Sequence, residues 1–372
     1  MGKSFSVTGI CALAIVVFIG TITPAFGLNK VSKSPYLGAV LIDADTGRVI
    51  FEDQADAKGY PASMIKLMNL LVILDAVKAG RISLTDPVTI SAGVSRMGGS
   101  QVYLKEKEVF PVDELIYAMM VQSANDAALA LAEHYAGGME GFVDLMNKKA
   151  AEIGMKNSEF HSVHGLPPGK NQQPDVTTAQ DMALLSRELL KYPEALKYTS
   201  TQLREFRPDA PEPFIMRTHN HLLRDFEGCD GLKTGYFSAA GFSIAATAQK
   251  NNVRAIAVVM GSPTSKERDK HARALLSKGL MDLVQNQPAK SPETPLAAPA
   301  VAEKESAAEK ASAVDEESAA EEAEADSPKT ETDYVKIPRN IFNIAITLNA
   351  VVIVLLIVFL YAGRSRRKDR LY

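Results

Sequence analysis

The sequence predicts a mixed α/β domain built on an antiparallel sheet that both ends of the domain complete. Two observations point there. β-Prone hairpins stand at either end of residues 28–285, and the chain between them carries helical periodicity. A third observation sets the limit of the domain, because composition changes abruptly after residue 285. The first hairpin pairs Ala39–Asp43 with Arg48–Phe51 around Asp45-Thr46-Gly47. The second pairs Gly241–Thr247 with Val253–Val259 around Asn251-Asn252. Helices are predicted over 63–79, 112–136, 139–153 and 178–191. Thr178 with Asp181 three residues on resembles a capping box with Asp in place of Glu.

The flanking segments predict where the domain resides. Residues 1–27 have a charged start at Lys3, an apolar centre over Ile10–Ile19, and small residues before a cut after Gly27. That is the pattern of an export signal, with an uncleaved membrane helix as the alternative. Cleavage would remove Cys11 and leave Cys229 alone, so no disulfide framework is expected. Residues 286–337 form an expected linker rich in Ala, Glu, Pro and Ser. Thirteen acidic residues stand against four lysines between Asn286 and Asp333, too few apolar groups to offset chain entropy. As a flexible coil this stretch spans roughly 40 Å. Residues 338–363 are long and apolar enough for one membrane crossing. Residues 364–372 follow with Arg364, Arg366, Arg367, Lys368 and Arg370, which marks a cytoplasmic tail. The expected location is therefore the cytoplasmic membrane, single-pass, with the domain on the outer side. A net charge of −3 over 372 residues argues against nucleic acid as the main partner.

Three short motifs carry chemistry. Ser63-Met64-Ile65-Lys66 opens a strongly apolar helix, and a spacing of three puts serine and lysine on one face. Serine needs a nearby base to attack, and a lysine desolvated on such a helix can offer a neutral amine. An N-cap serine with a lysine snorkelling to water fits the same four residues. Ser123-Ala124-Asn125 sets two polar side chains among small apolar ones, suited to relaying a proton and holding an amide. Alone it is better read as a turn or cap between helical segments. Lys233-Thr234-Gly235 precedes the Gly241–Thr247 strand. On an edge strand these three residues fit an extended, anionic ligand lying alongside. A strand-entry turn is the alternative.

The order Ser-x-x-Lys, Ser-x-Asn, Lys-Thr-Gly is that of penicillin-recognising serine enzymes. With Val121–Ala128, His164-Gly165-Leu166-Pro167 and Asp230–Gly235, the chain resembles the low-molecular-mass penicillin-binding proteins of the D-alanyl-D-alanine carboxypeptidase family. The resemblance covers roughly residues 30–285. It implies a β-lactamase/transpeptidase-like domain with a five-stranded antiparallel sheet between helical layers. It also implies peptidoglycan stem peptides ending in D-Ala-D-Ala as substrate, β-lactam antibiotics as inhibitors, and no cofactor or metal. Carried over, Ser63 is the acylated nucleophile, Lys66 its base, and Ser123 the proton carrier. Asn125 holds the peptide, while Lys233, Thr234 and Gly235 form the opposite wall. The backbone N–H groups of Ser63 and Tyr236 form an oxyanion hole, and Arg268 meets the terminal carboxylate.

Two departures stand out. The small β-rich domain that follows in many relatives is replaced here by the acidic linker and spanning segment. Tyr236 also stands where some relatives have histidine. A class A β-lactamase is the rival enzyme, but no Glu-x-x-Leu-Asn stretch follows Ser123. A transpeptidase and a non-catalytic wall-binding module are further alternatives. His219 and His221 suggest a metal pair without a third ligand motif, and structural use is expected of them. Cys229 is expected to be an idle thiol.

Overall fold

The computed structural model describes residues 28–286. The expected signal segment, the linker beyond Asn286, the spanning helix and the basic tail lie outside the described residues.

Nine strands and eight helices are seen among those residues. The strands are β1 (Gly38–Asp43), β2 (Val49–Asp53), β3 (Pro87–Thr89), β4 (Val109–Pro111), β5 (Leu203–Phe206), β6 (Phe214–Arg217), β7 (Cys229–Phe237), β8 (Gly241–Lys250) and β9 (Val253–Ser262). The helices are α1 (Lys66–Lys78), α2 (Val112–Val121), α3 (Asn125–Ala136), α4 (Met139–Glu152), α5 (Ala179–Leu189), α6 (Glu194–Thr199), α7 (Leu222–Asp225) and α8 (Ser265–Gln285).

Five strands form the main antiparallel sheet in the order β2-β1-β9-β8-β7. Both expected hairpins are present. The first and last strands of the domain meet in the centre, where Gly38 pairs with Met260 and Asp43 with Ala255. Alternate residues supply the two faces. Val40, Ile42, Ile256 and Val258 join the core shared with the helices α1–α5, whereas Leu41, Ala255, Ala257 and Val259 pack against α8. The central strands β1 and β9 are covered on both sides, so they read as near-continuous apolar runs.

Helix α1 is buried along nearly its whole length, because its apolar residues surround it instead of forming one stripe. A single 3₁₀ turn over Ala62–Ile65 precedes it and carries Ser63. The predicted helix over 112–136 is in fact two. Ser123 adopts φ 62°, a left-handed conformation that costs an L-residue about 1–2 kcal/mol, and the chain re-enters helix at Asn125. Thr178 caps α5 as expected, its hydroxyl accepting from Asp181 N at 3.1 Å. The reciprocal half of the box is not formed. The Asp181 carboxylate instead accepts from Asn157 N and Ser158 Oγ, both at 2.8 Å, and so ties down the preceding loop.

Candidate active site

Site geometry begins with the turn that bears Ser63. Gly235 on the edge strand β7 lies directly against it. A Cβ at Gly235 would stand 2.5 Å from the Pro61 carbonyl oxygen, so only glycine lets the strand come this close. On the other side, Gly165 adopts φ 74° and abuts the backbone of Ala62. Ser63 is thus held between strand and loop at the base of a cleft of about 450 Å³.

One helical turn along, Lys66 is fully buried. Its Nζ lies 3.2 Å from Ser63 Oγ, 2.7 Å from Asn125 Oδ1 and 2.9 Å from the His164 carbonyl oxygen. No carboxylate forms an ion pair with it among the described residues. Burial without a counter-charge disfavours the ammonium form, and Lys233 adds repulsion, so the Lys66 pKa falls well below its ordinary value. Asp126 and Asp175 oppose that fall from further away. The snorkelling alternative does not hold, since the amine turns inward onto the serine.

The second motif reaches the same place from the break between α2 and α3. Asn125 accepts from Lys66 and donates through Nδ2 to the Gly98 carbonyl at 2.8 Å, so both ends of its amide are engaged by the protein. It lies beside the base and also lines the cleft, with one amide hydrogen and one oxygen lone pair left for a ligand. Ser123 lines the cleft with a buried hydroxyl that has no hydrogen-bond partner among the described residues. It reaches the cleft but makes no direct bond to Lys66.

The third motif forms the opposite wall, on the sheet edge anticipated for it. Lys233 is buried, and its Nζ approaches the Thr234 carbonyl at 3.3 Å. Desolvation, reinforced by Arg268, lowers its pKa to about 7. Arg268 follows the Thr264 cap of α8, whose hydroxyl accepts from Glu267 N at 3.1 Å. It is buried, not a surface residue, and its guanidinium meets Asp269 Oδ1 at 2.6 and 2.7 Å while lining the cleft. Among the described residues no aspartate or glutamate lines this cavity. Of the third motif Thr234 and Gly235 line the cavity, with Lys233 buried beside them on the strand, and a cavity lined by Arg268 and by no acid favours an anionic ligand.

Tyr236 is exposed and stacks on Phe242, ring centroids 4.0 Å apart. If only its backbone N–H serves the reaction, Tyr236→His will change the penicillin acylation rate less than about tenfold. Loss of an oxyanion donor costs about 10²–10³. A stopped-flow acylation rate reduced by that larger factor would assign a role to the ring itself.

His219 is a residue whose place the sequence did not disclose. It lines the cleft. Partial desolvation, then the charges of Lys233, His221 and Arg268, lower its pKa and favour the neutral imidazole. His221 also borders the cleft and approaches Asp269 at 3.4 Å. Cys229 hydrogen-bonds the Gly231 carbonyl away from this cleft, and burial raises its pKa to about 11, which suppresses thiolate.

Comparison with known proteins agrees with this geometry. Residues 34–264 match the family described as D-alanyl-D-alanine carboxypeptidase, a span that contains all three motifs and ends just before Arg268. The D-alanyl-D-alanine carboxypeptidase DacF of Bacillus subtilis (strain 168) is 40% identical over 238 residues, 64% of this chain and 60% of that protein. The chain thus matches less than two thirds of that relative's length. Penicillin binding protein 5 from Haemophilus influenzae superposes with a TM-score of 0.62 at 35% identity, covering 66% of this chain and 71% of that one. Penicillin-Binding Protein D2 from Listeria monocytogenes, in its ampicillin-bound form, gives 0.59 at 29% identity, covering 66% and 97%. Motif order, the sheet-edge cleft and a match running through both lead to one assignment: the chain belongs to the D-alanyl-D-alanine carboxypeptidase family.

Proposed function

We propose that the protein is a serine-type carboxypeptidase that removes the terminal D-alanine from peptidoglycan stem pentapeptides and is acylated by β-lactams. The observation that carries this reading is the Ser63–Lys66 pair, 3.2 Å apart with the amine fully buried. The substrate lies along the β7 edge, its terminal carboxylate facing Lys233, Thr234 and Arg268. Lys66 takes the Ser63 hydroxyl proton as Oγ attacks the carbonyl carbon between the last two residues. The N–H groups of Ser63 and Tyr236 hold the oxyanion. The proton returns to the leaving amine, with Ser123 placed to pass it. The C–N bond breaks, D-alanine departs, and water cleaves the ester to regenerate Ser63.

The same reading places the domain outside the cytoplasmic membrane, with the linker 286–337 as a tether and 338–363 as the span. Protease protection in spheroplasts tests that arrangement. An intact domain reached by external protease supports it, and complete protection opposes it.

The catalytic reading is tested by D-alanine release from a defined pentapeptide, with and without penicillin. Release that penicillin blocks is expected. Covalent labelling without release would leave a penicillin-binding module. Turnover of penicillin faster than trapping would favour a β-lactamase, and a cross-linked product with an added amine would favour a transpeptidase.

A further inference from the structure

Two fully formed hydrogen-bond clamps stand behind the cleft, and the catalytic scheme makes no use of either. Asp175 is buried and does not line the cavity. Its Oδ1 accepts from His161 N at 2.7 Å and Ser162 N at 2.9 Å, and its Oδ2 accepts from Ser162 Oγ at 2.7 Å. That hydroxyl in turn accepts from Gly165 N at 2.9 Å, closing the turn 162–165. The His164 carbonyl, inside this turn, is the one that meets Lys66 Nζ.

Asp126 performs the corresponding task on the other wall. It too is buried, and its carboxylate accepts from Val102 N and Leu104 N at 3.1–3.3 Å. The loop so held presents the Gly98 carbonyl to Asn125 Nδ2 and the Ser100 carbonyl to Asn125 N. These bonds turn Asn125 Oδ1 toward Lys66.

The geometry matters because of what a neutral amine carries: two N–H donors and one lone pair. Asn125 Oδ1 and the His164 carbonyl accept from Lys66 at 2.7 and 2.9 Å, which engages both donors. The remaining direction leads to Ser63 Oγ at 3.2 Å. A base whose lone pair points elsewhere is no base for this serine. We propose that Asp175 and Asp126 are positioning residues that aim the Lys66 lone pair at Ser63, each by fixing the loop behind one of the two oxygen acceptors. The inference rests on the reading of Lys66 as the base, and it deepens that reading without assigning either carboxylate a contact with substrate.

The test measures penicillin acylation of the full-length protein in detergent as a function of pH, with pentapeptide kcat and KM. Asp175→Ala, which releases the turn, is expected to lower the acylation rate by about 10²-fold while KM changes little. Asp175→Asn retains an oxygen acceptor but removes the charge. It is expected to lose less, and to shift the acid limb of the profile to lower pH. The sign follows from the groups around Lys66. Lys233 and His164 give it no negative charge, whereas Asp126 and Asp175 raise its pKa, so neutralising one lowers it further.

Ser162→Ala removes the hydroxyl that links Asp175 to Gly165 N at 2.9 Å and His164 N at 3.4 Å, and leaves the backbone bonds to the Asp175 carboxylate in place. A rate about tenfold lower is expected, with the acid limb unmoved. This second variant decides the matter if the Asp175 variants do not fold. Wild-type acylation in Ser162→Ala, or in a folded Asp175→Ala, would overturn the proposal. If Lys66→Ala itself retained wild-type acylation, the reading of Lys66 as base would fail first, and the two failures are thereby told apart.

Discussion

Ser63→Ala will abolish covalent labelling by penicillin and reduce D-alanine release by at least about four orders of magnitude, with the fold retained. The magnitude follows from losing the nucleophile, since no neighbouring hydroxyl can replace it. Ser123 also lines the cleft, but its hydroxyl makes no hydrogen bond to Lys66. Intact-protein mass spectrometry with peptide mapping reads the result directly. Wild type should show one drug adduct on the peptide bearing Ser63, and the variant none. An adduct that persists in the variant moves the nucleophile elsewhere and ends the catalytic scheme. The substitution removes one half-buried oxygen and no packing contact of size, so unfolding temperature should change little.

Lys66→Ala will lower acylation by about 10²–10⁴-fold, the usual worth of a general base. The more telling variant is Lys66→Arg. A guanidinium keeps the positive charge but never offers a lone pair near neutral pH, so it should be as inactive as alanine. Activity in the arginine variant would mean that charge, not proton transfer, is what residue 66 supplies. Circular dichroism supplies the folding control for both.

The pH dependence follows from the same two lysines, with opposite signs. On the proposed scheme Lys66 works as the free amine, so activity rises as pH climbs through its depressed pKa, on the acid side of the lysine range. On the same scheme Lys233 works as the cation, so its service to a substrate carboxylate fades as pH rises above about 7. A kcat/KM profile, which reports the free enzyme, should therefore fall on its alkaline side from near neutrality. Lys233→Arg should push that alkaline limb upward, at the cost of a poorer fit on the strand.

Legibility in the sequence was uneven, for physical reasons. Ser63 and Lys66 could be read because a helix fixes the relation of residues three apart. The sheet was legible at both ends because hairpins are local. The division at Ser123 was legible only as the alternative turn, since 112–136 has no Gly or Pro, and the bond from Asn125 N to the Ser100 carbonyl that accompanies φ 62° is a tertiary one. Helix α8 was missed. Its first turns are charged and its buried residues, Ala272, Leu275, Leu276 and Leu280, acquire meaning only against the sheet. The Thr264 cap with Glu267 was the available signal. The His164 carbonyl could not be read at all, because a backbone acceptor leaves no mark in side-chain identity.

The pairing of β1 with β9 has a temporal meaning. Ser63 and Lys66 emerge early in synthesis, yet the strand bearing Lys233 and the strand that joins Gly38 come near the end of the domain. Until those late strands dock, the wall that carries Thr234 and Gly235 is missing and the cleft around Ser63 is incomplete. Contacts so distant along the chain also form slowly. A ligand held across both walls of the cleft therefore finds no complete seat until the last strands have closed.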